Sequence, residues 1–395
     1  MDFYLQYGYG MMEHCRQLIQ SWGNGAVILS PRDLKEDQLE RIGSDIIDRN
    51  GTTLLDPQLY NPRANHHRLT QHDYWPDEYT TGILNGGTAL DNILQKLKSL
   101  NTKSRTSKYI LPSVICETVD DDWLHIQQNI IKSSGNILND KPTLATICLS
   151  SDSLRNEEQI ESIINSAEGW DVSGYYIVPE HDNYLVEDPV WLANLLMLCS
   201  GLKLQNREVL VGYCSHQMLC LAAANVDAIA SGTWLNVRTF NRNKFTESED
   251  DSTSRRAKWY YCYQSLSEYK IPFLDTAYNA QILSSLQPEG HLNTYAAMLF
   301  SGTQPSTTDY NEQSSFRHYL LCLRNQTLAS RLASYRETIN HQNVMLDSVE
   351  ELIRELHRNG VRGQDRDFAN MVDVNKAALQ ILDNNRGFVL ERSWI

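Results

Sequence analysis

The chain has 395 residues, 41% hydrophobic and 21% charged, with 35 Lys plus Arg against 49 Asp plus Glu for a formal charge of −14. That apolar share is enough for a sizeable core and excludes a mainly disordered chain. The acidic balance excludes broad, sequence-independent nucleic-acid binding, which needs Lys and Arg to displace counterions from phosphates.

From residue 25 to about 231 the chain alternates short apolar runs with amphipathic stretches. The strand-like runs are 26–29, 53–55, 109–111 with 114–115, 143–148, 175–178, 209–211 and 228–230. Between them the helix-like segments are 35–49, 90–100, 123–133, 157–167, 189–202 and 216–224, each long enough to cross back over a parallel sheet. Repeated units of this kind predict an α/β protein, either a doubly wound sheet or a (β/α)8 barrel. No GxGxxG follows an early strand, and polar residues recur after the runs: Asp56, Glu117, Glu180, and then Tyr213 to Ser215. In a barrel these strand ends share one face, where catalytic groups collect. Each carboxylate alone reads equally well as a helix N-cap or loop residue, but their recurrence favours a shared site.

Two segments, 61–87 and 241–258, interrupt the pattern and read as long surface insertions. The first holds His66, His67 and His72, whose spacing fits neither i,i+4 chelation nor a Cys/His pattern, so a loop is expected rather than a metal site. From residue 315 the chain reads as a helical packing appendage, giving a barrel domain at 1–314 and a C-terminal helical region at 315–395. The longest apolar run, 190–199, contains Asn194 and is too short to span a membrane, and the first residues carry no secretory pattern. Eight cysteines lie scattered without a CxxC pair, which suits reduced thiols in a cytoplasmic protein.

Several blocks together resemble the tRNA-guanine transglycosylase family, a (β/α)8 barrel that exchanges guanine for a 7-deazaguanine base. Leu54-Leu55-Asp56-Pro57-Gln58-Leu59-Tyr60 is similar to that family's strand ending in Asp-Ser-Gly-Gly-Phe-Gln, which puts Asp56 at its active-site aspartate. Residues 144–149, followed by Asp152-Ser153-Leu154-Arg155, resemble its Gly-Ile-Val-Gln-Gly-Gly strand, and Leu149 falls where the base-binding glutamine would be. Residues 174–180 resemble the strand whose final glutamate lies beneath the base, here Glu180. Val211-Gly212-Tyr213-Cys214-Ser215, with the helix and strand after it, is similar to the Met-Gly-Val-Gly-Thr block and puts Gly212 and Tyr213 at the base. Phe316-Arg317-His318-Tyr319-Leu320 and Thr338-Ile339-Asn340-His341-Gln342-Asn343 resemble the tail and its zinc subdomain.

The departures are chemical. The family's ribose-attacking aspartate falls at Ala230, followed by Ser231, and a serine does not replace an ionised carboxylate without a base beside it. Only Cys262 and His341 remain of the zinc ligands, so no metal and no other cofactor are expected. The resemblance implies a transferase that binds a guanine or 7-deazaguanine-type base, with Glu117 and Glu180 as acceptors and Asp56 as a general base or electrostatic stabiliser. It also implies kinship with members found in bacterial antiphage defence operons. The charge favours a protein as acceptor over tRNA, although Arg238, Arg242, Lys244, Arg255 and Arg256 leave room for an RNA contact. The alternative is a non-catalytic barrel that binds a base or holds a partner. Cys116, Cys148 and Cys214 also fall near strand ends, with Cys214 the choice for a covalent nucleophile and a small apolar barrel residue the competing role.

Overall fold

The computed structural model describes residues 1–246 and 257–394. The acidic centre of the second insertion, together with Arg255 and Arg256, lies outside the described residues. Eight parallel strands form one sheet: β1 (Asp2–Gln6), β2 (Ala26–Leu29), β3 (Thr52–Leu55), β4 (Tyr109–Ile110), β5 (Thr143–Leu149), β6 (Gly174–Pro179), β7 (Glu208–Val211) and β8 (Ala228–Ser231). Their order is β3-β2-β1-β8-β7-β6-β5-β4, so every strand but β3 pairs with the next in sequence and β8 returns to β1. The seam between β3 and β4 is bridged where Ser107 N donates to Thr53 O (2.9 Å) and Thr53 Oγ1 donates to Ser104 O (3.0 Å). This is a nearly closed (β/α)8 barrel, the TIM-barrel architecture, with C-terminal helices added.

The anticipated runs fall on strands, except 114–115, which lies beyond the end of β4, because a strand buried on both faces is written as continuous apolar sequence. The eighth strand, β1, is bracketed by Asp2 and Gln6 and does not read as such a run. β4 is cut to two residues because Pro112 has no N–H to donate. The chain nevertheless stays on the barrel, with Leu111 N donating to Leu144 O and Cys116 N to Cys148 O.

The helix Glu157–Ala167 matches expectation, while the crossover after β7 is a 3-10 helix, His216–Ala224, rather than an α-helix. It is buried along its whole length and is covered by helices from the C-terminal part. Gln342 Nε2 donates to Leu219 O (3.2 Å), and Gln217 Nε2 donates to Asn375 Oδ1 (3.0 Å). The helix Glu312–Ser330 packs against β1, and Ala369–Ser393 lies along Pro189–Leu204. A single apolar core therefore runs from Leu5 and Val27 to Leu323, Leu346 and Leu379. The antiparallel hairpin of β9 (Trp259–Cys262) and β10 (Ser267–Lys270), with helix Ile271–Asn279, forms a second small core around Tyr260, Leu274 and Leu286. No sequence signal had marked this unit.

The 61–87 insertion is not a loose surface loop. Leu69, Tyr74 and Leu84 are buried in it, and His72 Nε2 lies 2.9 Å from Pro31 O and 3.0 Å from Leu34 O, a structural rather than metal-binding role. Among the described residues no helix is long and apolar enough to cross a membrane.

Candidate active site at the barrel mouth

The C-terminal ends of the strands carry the polar residues, as the barrel requires. At the end of β3, Asp56 is fully buried, and every group around its carboxylate is a donor. Tyr60 donates its hydroxyl to Oδ1 (2.6 Å), Tyr213 to Oδ2 (2.7 Å), and Gln58 N to Oδ1 (3.0 Å). Tyr176, rising from β6, lies 3.4 Å from Oδ2 and 3.2 Å from Gln6 Oε1. Gln58 and Tyr213 both sit in the left-handed region, at φ 56° and 55°, a conformation that costs non-glycine residues energy and concentrates at functional sites. Burial pushes the Asp56 carboxyl above the usual carboxylate range, against the Tyr60 and Tyr213 hydroxyls, Lys244 and Gln58 N, which favour the ionised form.

The segment after β8 closes the mouth. His181 N donates to Phe240 O (2.9 Å), laying this segment beside the end of β6. Phe240 and Phe245 are fully buried, with ring centroids 5.2 and 5.8 Å from that of Tyr60. Asn65 N and His66 N both donate to Phe245 O, so the two insertions meet over the mouth. Lys244 places Nζ 3.4 Å from the centroid of the Tyr213 ring. Burial, reinforced by Arg32, drives its ammonium pKa well below the usual lysine range, against Asp56 and Asp33.

Arg242 occupies the acceptors. Its Nε donates to Glu180 Oε1 (2.8 Å), Nη2 donates to Glu180 Oε2 (2.5 Å), and its backbone N reaches Glu180 Oε1 (3.1 Å). Nη1 is paired with Glu117, whose side chain is 63% exposed against 9% for Glu180. The hydrogen bonds that Arg242 donates to Glu180, and then to Glu117, raise the guanidinium pKa further although burial opposes them. Thus one guanidinium brings together the two carboxylates anticipated from strand ends.

The remaining candidates divide. Leu149 is buried and acts through its backbone, accepting from Glu180 N at 2.9 Å. Gly212 leaves room for Tyr176: a Cβ there would lie 2.7 Å from Tyr176 Cζ. Tyr213 holds Asp56. Cys214 is buried with Sγ directed to the backbone at Val211 O (3.3 Å) and Gly212 O (3.6 Å), and burial pushes its thiol far up. That geometry does not suit the nucleophile suggested by its place at a strand-to-helix turn. Burial also pushes up the thiols of Cys116, to about 12, and Cys148, which feels Glu180, Asp56 and Arg242 from beneath the same mouth. Ala230 and Ser231 end β8 fully buried. Among the described residues no three or more His, Cys, Asp or Glu side chains converge as a metal site. Cys262 instead contacts Gln264 Oε1 at 3.3 Å.

Sequence reasoning missed Gln58, Tyr60 and Tyr176 as donors to Asp56, Gln6 as the acceptor behind Tyr176, and Arg242 as the occupant of Glu180. The period of β6 contained part of the signal, since adjacent Tyr175 and Tyr176 must point to opposite faces.

No family model and no curated protein matches the chain. Among solved structures, the carboxyl transferase domain of Rhizobium etli pyruvate carboxylase is similar at 12% identity, covering 98% of this chain and 61% of that one, with a TM-score of 0.38. N-acetylneuraminate lyase from Mycoplasma synoviae gives 11% identity over 97% of each chain and a TM-score of 0.32. Xylanase 10B from Thermotoga maritima gives 12% over 58% of this chain and 82% of that one, with a TM-score of 0.36. None of these three is a tRNA-guanine transglycosylase.

Proposed function

We propose that the mouth binds a guanine or 7-deazaguanine-type base through Glu180 and Glu117, in a transglycosylase-like transferase that installs the base on a protein acceptor. The observation that supports this most is the Arg242 fork on Glu180. A guanine ring presents N1–H and the exocyclic amino group as two parallel donors across one N–C–N unit. A guanidinium presents its Nε–H and Nη2–H in the same way, so Glu180 is already shaped to accept that edge. In this reading Arg242 holds the Glu180 acceptors and withdraws when a base enters. Glu117, more exposed, accepts a further donor at the rim. Asp56, held by tyrosine hydroxyls, stores or receives a proton beside the ring, which a carboxyl with a raised pKa is suited to do. A protein acceptor fits the acidic chain better than tRNA. The link to antiphage defence rests on sequence resemblance alone.

A second reading, a base-binding protein without catalysis, is favoured by β8, which ends in Ala230 and Ser231 where the family has its nucleophilic carboxylate. Intact-mass spectrometry of acceptor proteins co-expressed with this chain separates the two. Transfer predicts a mass increment of a deazapurine on one acceptor, lost in Asp56→Asn. Base binding with no adduct on any acceptor selects the non-catalytic reading.

A further inference from the structure

Beside the mouth, between the 61–87 insertion and the β9–β10 hairpin, lies a cleft of about 1330 Å³. A small-molecule pocket is usually about 300–1,000 Å³, so this cleft has room for an extended segment. Its sign is opposite to that of the molecule. In a chain of charge −14, the described residues that line the cleft include five Lys or Arg against three Asp or Glu. Two of those carboxylates are turned inward behind guanidinium groups. Glu268 is 3% exposed beneath Arg238 Nη1 (3.2 Å) and Arg366 Nη1 (2.9 Å), and the Asp33 side chain is 6% exposed beside Arg32 Nη1 (2.9 Å). Arg68 donates to the backbone O of Asp33 (2.6 Å) rather than to a carboxylate. Lys258 is exposed at the cleft edge, and Arg366 Cζ lies over Trp259, 3.9 Å from its ring centroid. The cleft thus presents the Arg32, Arg68 and Arg366 guanidinium groups and the Lys258 ammonium beside Trp259, while Arg238, 3% exposed, lies behind them with Glu268.

We infer that this cleft docks an acidic segment of a partner protein. Carboxylates of such a segment meet the arginines in charge-assisted hydrogen bonds, and its apolar parts meet Trp259 and Trp234. A nucleic acid strand presents a phosphate at every nucleotide, and a chain of net charge −14 repels that continuous charge wherever the strand runs beyond a local basic cleft. A peptide with a few Asp or Glu residues places its charge only where the cleft is basic. The cleft is also tied to the mouth, because Arg32 Nε donates to Lys244 O (2.7 Å), on the same segment that carries Arg242. The inference rests on the protein-acceptor part of the reading above and not on the identity of the base.

The test is fluorescence anisotropy with three labelled probes of equal length: an Asp/Glu-rich peptide, a Lys/Arg-rich peptide and a single-stranded RNA. The expected result is saturable binding of the acidic peptide alone, weakened about tenfold in Lys258→Glu and again in Arg68→Glu, and weakened by salt. Circular dichroism confirms that both variants are folded, and Lys258, on the surface, serves as the safer of the two. No binding of the acidic peptide, equal binding by both variants, or tighter binding of the RNA would overturn the inference. Base titration with Glu180→Gln reports on the base alone, so the two readings fail separately.

Discussion

Gly212 illustrates how the site depends on a missing side chain. Tyr176 crosses the position where a Cβ on Gly212 would lie, and only then reaches Asp56 and Gln6. Gly212→Ala must displace that ring within a filled barrel, and overpacking of this kind costs about 1–3 kcal/mol. Chemical denaturation should show that loss, and a variant as stable as the parent would mean that the ring has room to move. Asp56, Glu117 and Glu180 were legible because each follows an apolar run, and barrel geometry gathers strand ends. Arg242 was not legible as their partner, since it lies in a segment without periodicity and meets Glu180 across 62 positions of sequence. Tyr176 was hidden inside the apolar run that defines its own strand. For Cys214, proximity to a turn did not determine direction, and its thiol points back to the strand.

At the level of elements, the strands that could be read were those buried on both faces. β1 has the same neighbours on both sides, β2 and β8, yet its five residues open with an exposed Asp2 and close with Gln6, whose amide is needed at the mouth. The helix Pro189–Leu204 is buried along residues from Trp191 to Leu202 because the last helix covers the side that solvent would otherwise reach. Its all-round apolar sequence was therefore a signal of a further layer, carried by residues far along the chain. The 3-10 crossover His216–Ala224 has a similar explanation. Small residues, Ala222 to Ala224, let the surrounding helices approach, while Gln217 and Asn375 satisfy each other in the buried contact. The β9–β10 unit was missed because its own core of tyrosines follows the insertion without an alternation clear enough to separate strand from loop.

For the whole molecule, two fully buried histidines set an acid limit. Burial holds both His216 and His318 down at about 4 from an ordinary value of 6.5. A base depressed in the folded state contributes stability above its unfolded pKa and loses it as pH falls toward the folded value. Stability should thus decline between about pH 6.5 and 4, by up to about 3 kcal/mol per histidine. Glu268, where Arg238 and Arg366 overcome burial and hold the carboxyl at about 2, adds a loss only below about pH 4.5. Asp56 has the opposite sign, since a raised carboxyl pKa favours the folded state at low pH and loses that contribution as pH rises. Denaturation midpoints that stay flat from pH 7 to 4 would contradict the histidine account. The closed mouth is also a property of the whole molecule, because residues after β8 reach back to acceptors on β6 and beyond β4. Its most direct test is calorimetric titration of a guanine-type base into the parent, Glu180→Gln and Arg242→Ala. Loss of the ionised acceptor should weaken binding by about 1.5–3 kcal/mol, and loss of the internal guanidinium should tighten it by leaving Glu180 without its competitor. A Glu180→Gln protein that bound the base as tightly as the parent would contradict the account.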